Sequence, residues 1–263
     1  MEIAGTIAVV TGASSGLGWY SSLALADRGA TVVVAARRMD RLEELVQHIE
    51  QRDGRALAVR CDVAAPEQIE ALAAEVDGAF GRCDILVNNA GLPGGGLFAD
   101  RTPEEIERLV RVNILGVMHG CRVFLPMMLA AGRGHILNIA SIAGRHAAPT
   151  AALYSSTKHA VSAFSESLSH ELIDHGILVT SMNPGFAATE GFPQGDLPRH
   201  LVMRAGTVAR AVVRAVERDA GPQITVPRWA GTLEVFRILG PLYWWGMRRL
   251  IKVRSRPSPT RPA

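Results

Sequence analysis

Short apolar runs rich in β-branched residues alternate with helical patterns along most of this chain. We expect strands at Thr6–Val10, Thr31–Ala35, Ala56–Arg60, Asp84–Val87, Gly134–Ala140, Ile177–Met182 and Gln223–Val226. These runs are continuously apolar, as strands buried on both faces are. The alternation therefore predicts an α/β fold of the Rossmann type, with helices on both faces of a doubly wound, mostly parallel sheet.

The charge of the chain changes sign near residue 227. Residues 228–263 hold eight basic residues and one acid, a net charge of +7, whereas residues 1–227 hold 20 basic and 24 acidic residues, a net charge of −4. We therefore divide the chain into a single dinucleotide-binding and catalytic domain, residues 1–227, and a basic extension, residues 228–263. A basic chain suggests a polyanionic partner, but here only the extension could meet one, and we expect no nucleic-acid partner.

The extension also holds three of the four tryptophans, Trp229, Trp244 and Trp245. Apolar residues, interfacial aromatics and a basic flank predict an amphipathic helix over about residues 230–252, followed by a disordered end. Such a helix fits an anionic membrane surface. The alternatives are packing on the domain, closing its pocket or forming an oligomer interface.

Metal and disulfide chemistry have no sequence support. The cysteines, Cys61, Cys83 and Cys121, form no CxxC pair, and the histidines show no HExxH spacing, so we expect no metal site. Met1-Glu2 leads almost directly into an apolar strand, so we expect no leader before the fold, and no uninterrupted apolar run of about 18 residues occurs. We therefore expect a cytoplasmic protein without a spanning helix, whose only membrane contact would be peripheral, on the inner face.

A glycine-rich turn, TGASSGLG at 11–18, follows the first strand. Glycines allow a tight turn and close approach of the backbone to a pyrophosphate, and the helix N-terminus beyond them favours an anion. The motif alone is weak, because many strand-to-helix turns contain glycine, but it opens a βαβ series. The candidate cofactor-binding residues here are Gly12, Ser14, Ser15, Gly16, Leu17 and Gly18.

The end of the second strand distinguishes the two nicotinamide dinucleotides. An acid there binds the free ribose 2′-OH of NAD(H), whereas arginine accommodates the 2′-phosphate of NADP(H). This chain reads Ala35-Ala36-Arg37-Arg38, so we predict NADP(H) rather than NAD(H). Arg37 is the main candidate, and Arg38 either joins it or opens the next helix in solvent.

Polar residues also follow the third and fourth strands. Asp62, with Val63 beside it, could accept from the adenine amino group or could cap the next helix. Asn89, in Asn89-Ala90-Gly91, could line the cofactor groove by tying neighbouring loops together, or could simply form a turn.

Tyr154 and Lys158 lie four residues apart in a predicted helix and so share one face. A nearby ammonium favours the phenolate and lowers the tyrosine pKa, which makes the hydroxyl a usable acid or base towards a carbonyl or an alcohol. Lys158 is the only lysine in residues 1–227, where arginine would serve if charge alone mattered. Ser141, at the end of a strand, could hold the substrate oxygen beside Tyr154.

Together these residues resemble the short-chain dehydrogenases/reductases, in the compact branch of NADP(H)-preferring type. The resemblance runs from about residue 3 to residue 227. The matching pieces are TGASSGLG at 11–18, CDV at 61–63, NNAG at 88–91, Asn113 in RLVRVN, Ser141 in NIAS, YSSTK at 154–158 and PGFAAT at 184–189.

The resemblance implies a role for each matching residue. Tyr154 would be the general acid/base, Ser141 would orient the substrate oxygen, and Lys158 would bind the nicotinamide ribose and lower the pKa of Tyr154. Asn113 would hold a helix bend and a water of the proton relay. The cofactor would also contact Asn89, Ala90 and Gly91 near the adenosine ribose, Asp62 and Val63 at the adenine, and Pro184, Gly185 and Thr189 beside the nicotinamide.

The implied activity is reversible hydride transfer between NADP(H) and a carbonyl or secondary alcohol. Apolar residues after the matching motifs suggest a small hydrophobic substrate, held by Ser141, Leu92, Leu97, Phe186 and Phe192, the last in a lid over residues 190–201. A homodimer or homotetramer is expected. The alternatives are a non-catalytic NADP(H) sensor and a membrane-surface adaptor that uses the basic extension.

Overall fold

Seven parallel strands form the central sheet of the computed structural model, which describes residues 1–190 and 202–232. The strands are β1 (Ile7–Thr11), β2 (Thr31–Ala36), β3 (Arg55–Arg60), β4 (Ile85–Asn88), β5 (Gly134–Ile139), β6 (Ile177–Pro184) and β9 (Gln223–Val226). Their order in the sheet is β3-β2-β1-β4-β5-β6-β9. The chain winds outward from β1 in one direction and then resumes at β4 on its other side. Loops therefore diverge beyond the carboxyl ends of β1 and β4, which is where doubly wound sheets bind ligands.

Helices cover both faces of the sheet and confirm the doubly wound α/β fold. They are α1 (Gly16–Ala26), α2 (Met39–Glu50), α3 (Pro66–Phe80), α4 (Pro103–Val110), α5 (Gly116–Ala131), α6 (Ala152–Leu172) and α7 (Ala205–Glu217). One hydrophobic core joins the sheet to α1, α2 and α7, and the other joins it to α3, α5 and α6. Burial of these two apolar faces is the main force that fixes the strand ends in space.

A second, two-stranded sheet was not expected from the sequence. It pairs β7 (Ala187–Ala188) with β8 (Met203–Arg204), and two-residue strands are too short to show any periodicity. This sheet joins the chain on either side of residues 191–201. Those residues, which include the predicted lid residue Phe192, lie outside the described part of the chain.

One continuous helical stretch, Pro103–Ala131, joins α4 to α5. It begins with a capping box between Thr102 and Glu105 and contains a π-helical segment, Arg111–Leu115. By length and composition this stretch could cross a membrane, with a window of mean hydropathy 1.6, which the search for an uninterrupted apolar run missed. Part of that apolarity belongs to the core, because Phe124 and Met128 are fully buried under the sheet.

The basic extension begins against the domain. A 3₁₀ turn spans Arg228–Thr232, and Ala230, which is 1% exposed, donates its N–H to Pro227 O at 3.0 Å. Residues 233–263, which hold Trp244, Trp245 and most of the predicted helix, lie outside the described residues. The division at residue 227 and the role of the extension stay predictions.

Candidate active site

The glycine turn between β1 and α1 is too crowded for side chains. A Cβ added to Gly12 would lie 2.7 Å from Ala90 Cα, and one on Gly18 would lie 2.4 Å from Gly12 O. Gly12 and Gly16 also have positive φ, +67° and +57°, where glycine is favoured. The N-cap residue of α1, Ser15, makes no side-chain capping hydrogen bond to the first turn. The residues present therefore fit a dinucleotide pyrophosphate.

Asn89 ties the end of β4 to this turn. Its Nδ2 donates to Thr11 O at 2.9 Å and to Gly12 O at 3.2 Å. In return, Thr11 Oγ1 accepts from the N–H groups of Asn89 and Ala90 at 3.1 and 3.2 Å. Of the two roles open from the sequence, the structure shows the tie between loops. It aligns the turn with the segment leading to Gly91, where an added Cβ would lie 3.5 Å from Lys158 Nζ.

The two arginines after β2 point to different neighbours. Arg38 donates from Nε to Ser14 Oγ at 3.3 Å and from Nη2 to Ser14 O at 3.3 Å, so it lies on the glycine turn. Arg37 Nη1 lies 3.9 Å from Asp62 Oδ2. Arg37 is the main candidate from the sequence, but the structure brings Arg38 to the turn that would hold the phosphates.

Asp62 and Val63 lie beyond the end of β3. The carboxylate of Asp62 accepts from Ala64 N at 3.0 Å, a local turn bond, while the N-cap of α3 is Ala65. Val63 is buried, and a Cβ on Gly116 would lie 3.0 Å from its Cγ2. Val63 therefore fixes the start of α5 as well as this edge of the groove.

Lys158 is a buried cation at the carboxyl edge of the sheet. It is 4% exposed, and Nζ donates to Ile139 O at 2.8 Å. Burial lowers the pKa of Lys158 to about 8. Within residues 1–190 and 202–232, no carboxylate forms an ion pair with it. A buried ammonium without a counter-ion is costly, and such groups concentrate at functional sites.

Asn113 occupies the π-helical segment and is fully buried. Its Oδ1 accepts from Leu92 N at 2.7 Å, and its Nδ2 donates to Leu92 O at 3.0 Å and to Thr157 Oγ1 at 3.2 Å. The π-bulge is the helix irregularity that the family resemblance implied at this residue. Asn113 therefore fixes the loop after β4 against α6, the helix that carries Tyr154 and Lys158.

Burial raises the pKa of Tyr154, while a hydrogen bond with Ser141 lowers it by a smaller amount. This reverses the expectation that Lys158 would lower the tyrosine pKa. Nζ lies 5.8 Å from the centre of the Tyr154 ring, and loss of water around the hydroxyl has the larger effect. The structure thus brings Ser141, Tyr154 and Lys158 together, with Ser141 Oγ also accepting from Ala143 N at 3.1 Å.

The segment after β6 closes the other side of the groove. Gly185 donates its N–H to Val226 O at 2.7 Å, which anchors the turn after Pro184. Thr189 lies against the glycine turn, since a Cβ on Gly16 would come within 3.1 Å of its Cβ. These contacts bring the PGFAAT segment to the phosphate end of the site.

The predicted substrate residues differ in how much of each side chain is exposed. Leu97 and Phe186 are exposed, 43% and 38% respectively, whereas Leu92 is partly buried and packs against the core. The loop that carries Leu97 passes close to Tyr154, because a Cβ on Gly94 would lie 3.2 Å from Tyr154 Cβ.

Three residues that form contacts at the site were not predicted from the sequence. Glu190 pairs with Arg38, Thr157 accepts from Asn113, and Asn138 Oδ1 accepts from Asn88 Nδ2 at 2.9 Å between β4 and β5. Asn138 and Thr157 lie inside the NIAS and YSSTK motifs, which was the available signal. Glu190 follows PGFAAT directly, but nothing in the sequence indicates its arginine partner.

The family model described as short chain dehydrogenase matches residues 6–195. An uncharacterized oxidoreductase of Staphylococcus epidermidis is 36% identical over 214 residues, 81% of this chain and 92% of the relative. The ketoacyl reductase HetN of a Nostoc species is 32% identical over 219 residues, 82% of this chain and 76% of the relative. A crystal structure of an actinorhodin polyketide ketoreductase variant with NADPH has a TM-score of 0.79 and 30% identity, covering 86% of this chain and 97% of that chain.

Proposed function

This chain belongs to the short-chain dehydrogenase family, and we propose that it is an NADP(H)-dependent oxidoreductase that interconverts a carbonyl and a secondary alcohol, with Tyr154 as general acid/base. The observation that carries the proposal is the buried Lys158 beside Tyr154 and Ser141, at the edge of the sheet where the glycine turn lies. A sensor that only bound dinucleotide would have no need of this arrangement.

The glycine turn, Asn89 and the PGFAAT segment would hold the cofactor, and Lys158 would donate to its nicotinamide ribose. When bound, NADP(H) supplies or accepts the hydride of the reaction. Two similar solved structures contain NADPH and NADP, which supports this cofactor. Arg38 on Ser14 adds a guanidinium fork that suits a phosphate.

Tyr154 would exchange a proton with the substrate oxygen. Burial raises the pKa of Tyr154, so the hydroxyl holds its proton at neutral pH and would donate it to a carbonyl oxygen in the reductive direction. Ser141 would donate a hydrogen bond to the same oxygen and hold it beside Tyr154. In the oxidative direction the deprotonated hydroxyl would accept the proton of the alcohol.

The substrate would be hydrophobic. Leu97, Phe98 and Phe186 are exposed, 43%, 57% and 38%, and Leu97 and Phe98 lie on the loop that passes Tyr154. Apolar side chains left in water near a polar reaction centre are typical of a substrate entrance. A ketone on an acyl chain is the class we favour, since named relatives are a ketoacyl reductase and a polyketide ketoreductase.

The proposal includes a cytoplasmic homodimer or homotetramer. Leu115, at the end of the π-helical segment, and Leu129 on α5 lie on one helix face and are 40% and 42% exposed, with Met118 and Leu125 partly buried between them. These positions recur at helical spacing, so they form a stripe. A second copy of the chain would cover it.

A screen of NADPH oxidation over ketones and aldehydes of increasing apolar length tests this function. We expect turnover with NADPH to exceed that with NADH, and kcat/KM to rise as the substrate gains apolar carbons. The control is the Arg38→Gln variant, which should lose most of its preference for NADPH. Binding of NADPH without turnover of any carbonyl or alcohol would instead support the sensor alternative.

A further inference from the structure

Arg38 is held between the glycine turn and an acid from the far side of the groove. Its Nη1 donates to Glu190 Oε1 at 3.1 Å and its Nη2 to Glu190 Oε2 at 3.3 Å. This is a two-pronged pairing, the geometry with which arginine also binds a phosphate. The same guanidinium contacts Ser14, so Glu190 is brought directly to the phosphate-binding turn.

The surroundings of Glu190 favour an anion. It lines a cavity of about 370 Å³ together with Ser15, Gly16, Trp19 and Arg41. The hydrogen bond from Arg38, followed by the charge of that arginine, holds the pKa of Glu190 below its usual range. Glu190 is therefore ionised at neutral pH, and it places a negative charge among groups suited to a phosphate.

We infer that Glu190 competes with the 2′-phosphate of NADP(H) for Arg38 and thereby sets the affinity of the protein for this cofactor. The inference rests on the proposed function. The Nη1 and Nη2 hydrogens that Arg38 donates to Glu190 cannot at the same time be donated to a phosphate, and the two anions repel each other. Binding of the 2′-phosphate of NADP(H) to this fork would therefore displace Glu190, whereas NAD(H), with a free ribose 2′-OH, does not need that fork.

The pair also links the cofactor site to the segment from β7 to Glu190. Glu190 follows Thr189, which lies against Gly16, and Thr189 follows β7 directly. Release of Glu190 from Arg38 would remove the one ion pair that holds this segment to α2 and the glycine turn within the described residues. NADP(H) binding and the position of this segment are therefore coupled.

The test is the Glu190→Gln variant, which keeps the size of the side chain and removes its charge. Both side chains are partly exposed, 45% for Arg38 and 58% for Glu190, so the competition is of the size of a surface ion pair. We expect the Kd for NADPH and for 2′,5′-ADP to fall by about two- to fivefold, while the Kd for NADH stays the same. Titration calorimetry measures all three directly.

Two further variants make the result specific. Glu107→Gln removes the same unit charge from an exposed pair with Arg111 on α4 and should leave every Kd unchanged. In an Arg38→Gln background, Glu190→Gln should no longer tighten NADPH binding. Equal tightening of NADPH and NADH, or tightening that persists without Arg38, would overturn the inference.

An unchanged Kd for NADPH in Glu190→Gln would overturn it as well. This outcome differs from a failure of the proposed function, in which the unaltered protein would either bind neither NADPH nor 2′,5′-ADP, or bind NADPH without turning over any carbonyl or alcohol.

Discussion

The two edges of the parallel sheet each bury a charged side chain, but they differ in whether an oppositely charged group lies beside it. At the amino-terminal edge, Asp84 accepts from Ile7 N and Arg82 Nε at 2.8 Å each and lies 3.5 Å from Arg133 Nη2. At the carboxyl edge, Lys158 has a backbone carbonyl as partner, and no carboxylate pairs with it within the described residues.

This difference separates structure from function. Asp84 is neutralised by its own chain and joins β1 to β4, so its charge stabilises the folded state. Lys158 is left with an uncompensated charge, which is a cost to folding and is worth keeping only where a ligand or a reaction uses it. A buried charge without an oppositely charged partner thus indicates that the candidate active site lies at the carboxyl edge of the sheet.

Removing the two charges should therefore change stability in opposite directions. Asp84→Asn should lower the free energy of unfolding by about 1–3 kcal/mol, because it removes the charge that faces Arg82 and Arg133 and replaces one of the two acceptor oxygens with an amide donor. Lys158→Met should raise it at pH 7 by about 2 kcal/mol, since it removes an ammonium whose pKa burial lowers from 10.5 to about 8. Urea unfolding with matched slopes measures both.

The pH dependence sharpens this comparison. Between about pH 8 and pH 10.5 the unfolded chain holds the Lys158 proton and the folded chain has released it, so stability from this group rises with pH. The gain from Lys158→Met should therefore shrink at about pH 9.5. NADPH affinity should be unchanged in Asp84→Asn and weakened in Lys158→Met. A destabilised Lys158→Met variant at pH 7 would contradict the account.

Glycines at the site and on the surface differ in how closely other atoms surround them. A Cβ on Gly18 would lie 2.4 Å from Gly12 O and 2.5 Å from Asn89 Nδ2, whereas one on Gly78 in α3 would meet nothing within 4 Å. Both are helical, so alanine should stabilise the helix by up to about 1 kcal/mol where space allows.

Gly78→Ala should accordingly gain up to about 1 kcal/mol, while Gly18→Ala should lose about 1–3 kcal/mol through overpacking. Gly18→Ala should also weaken NADPH binding, because it forces apart the glycine turn and the β4 loop. Thermal unfolding with and without NADPH distinguishes the two effects. Equal stabilisation by both substitutions would show that the glycine turn is not closely packed.

The sequence predicted the fold well, because continuously apolar runs mark buried parallel strands and the carboxyl ends of parallel strands share one edge. By that rule the sequence alone predicts that Ser141, Asn89 and the glycine turn lie at the same edge of the sheet. The same reasoning could not decide which of Arg37 and Arg38 contacts the glycine turn. Adjacent residues at a strand end point to different sides, and only the packing of the chain determines which side faces the turn.

The sequence also could not predict how deeply the site residues are buried or where short irregular strands form. Spacing placed Tyr154 and Lys158 on one helix face, but the pKa of Tyr154 depends on how much water its surroundings exclude, which only the packed structure reveals. The short strands β7 and β8 carry no periodicity, and Glu190 meets Arg38 only because those strands bring its segment to the glycine turn.

The measurement that tests the central claim most directly is turnover by Tyr154→Phe, compared with its affinity for NADPH. The substitution removes one hydroxyl from a partly buried ring and leaves the glycine turn and Lys158 intact. We predict a fall of about 10²–10⁴-fold or more in kcat with a Kd for NADPH within about twofold of the unaltered protein. Tyr20→Phe, an exposed position on α1, serves as control. Near-normal turnover by Tyr154→Phe would contradict the account.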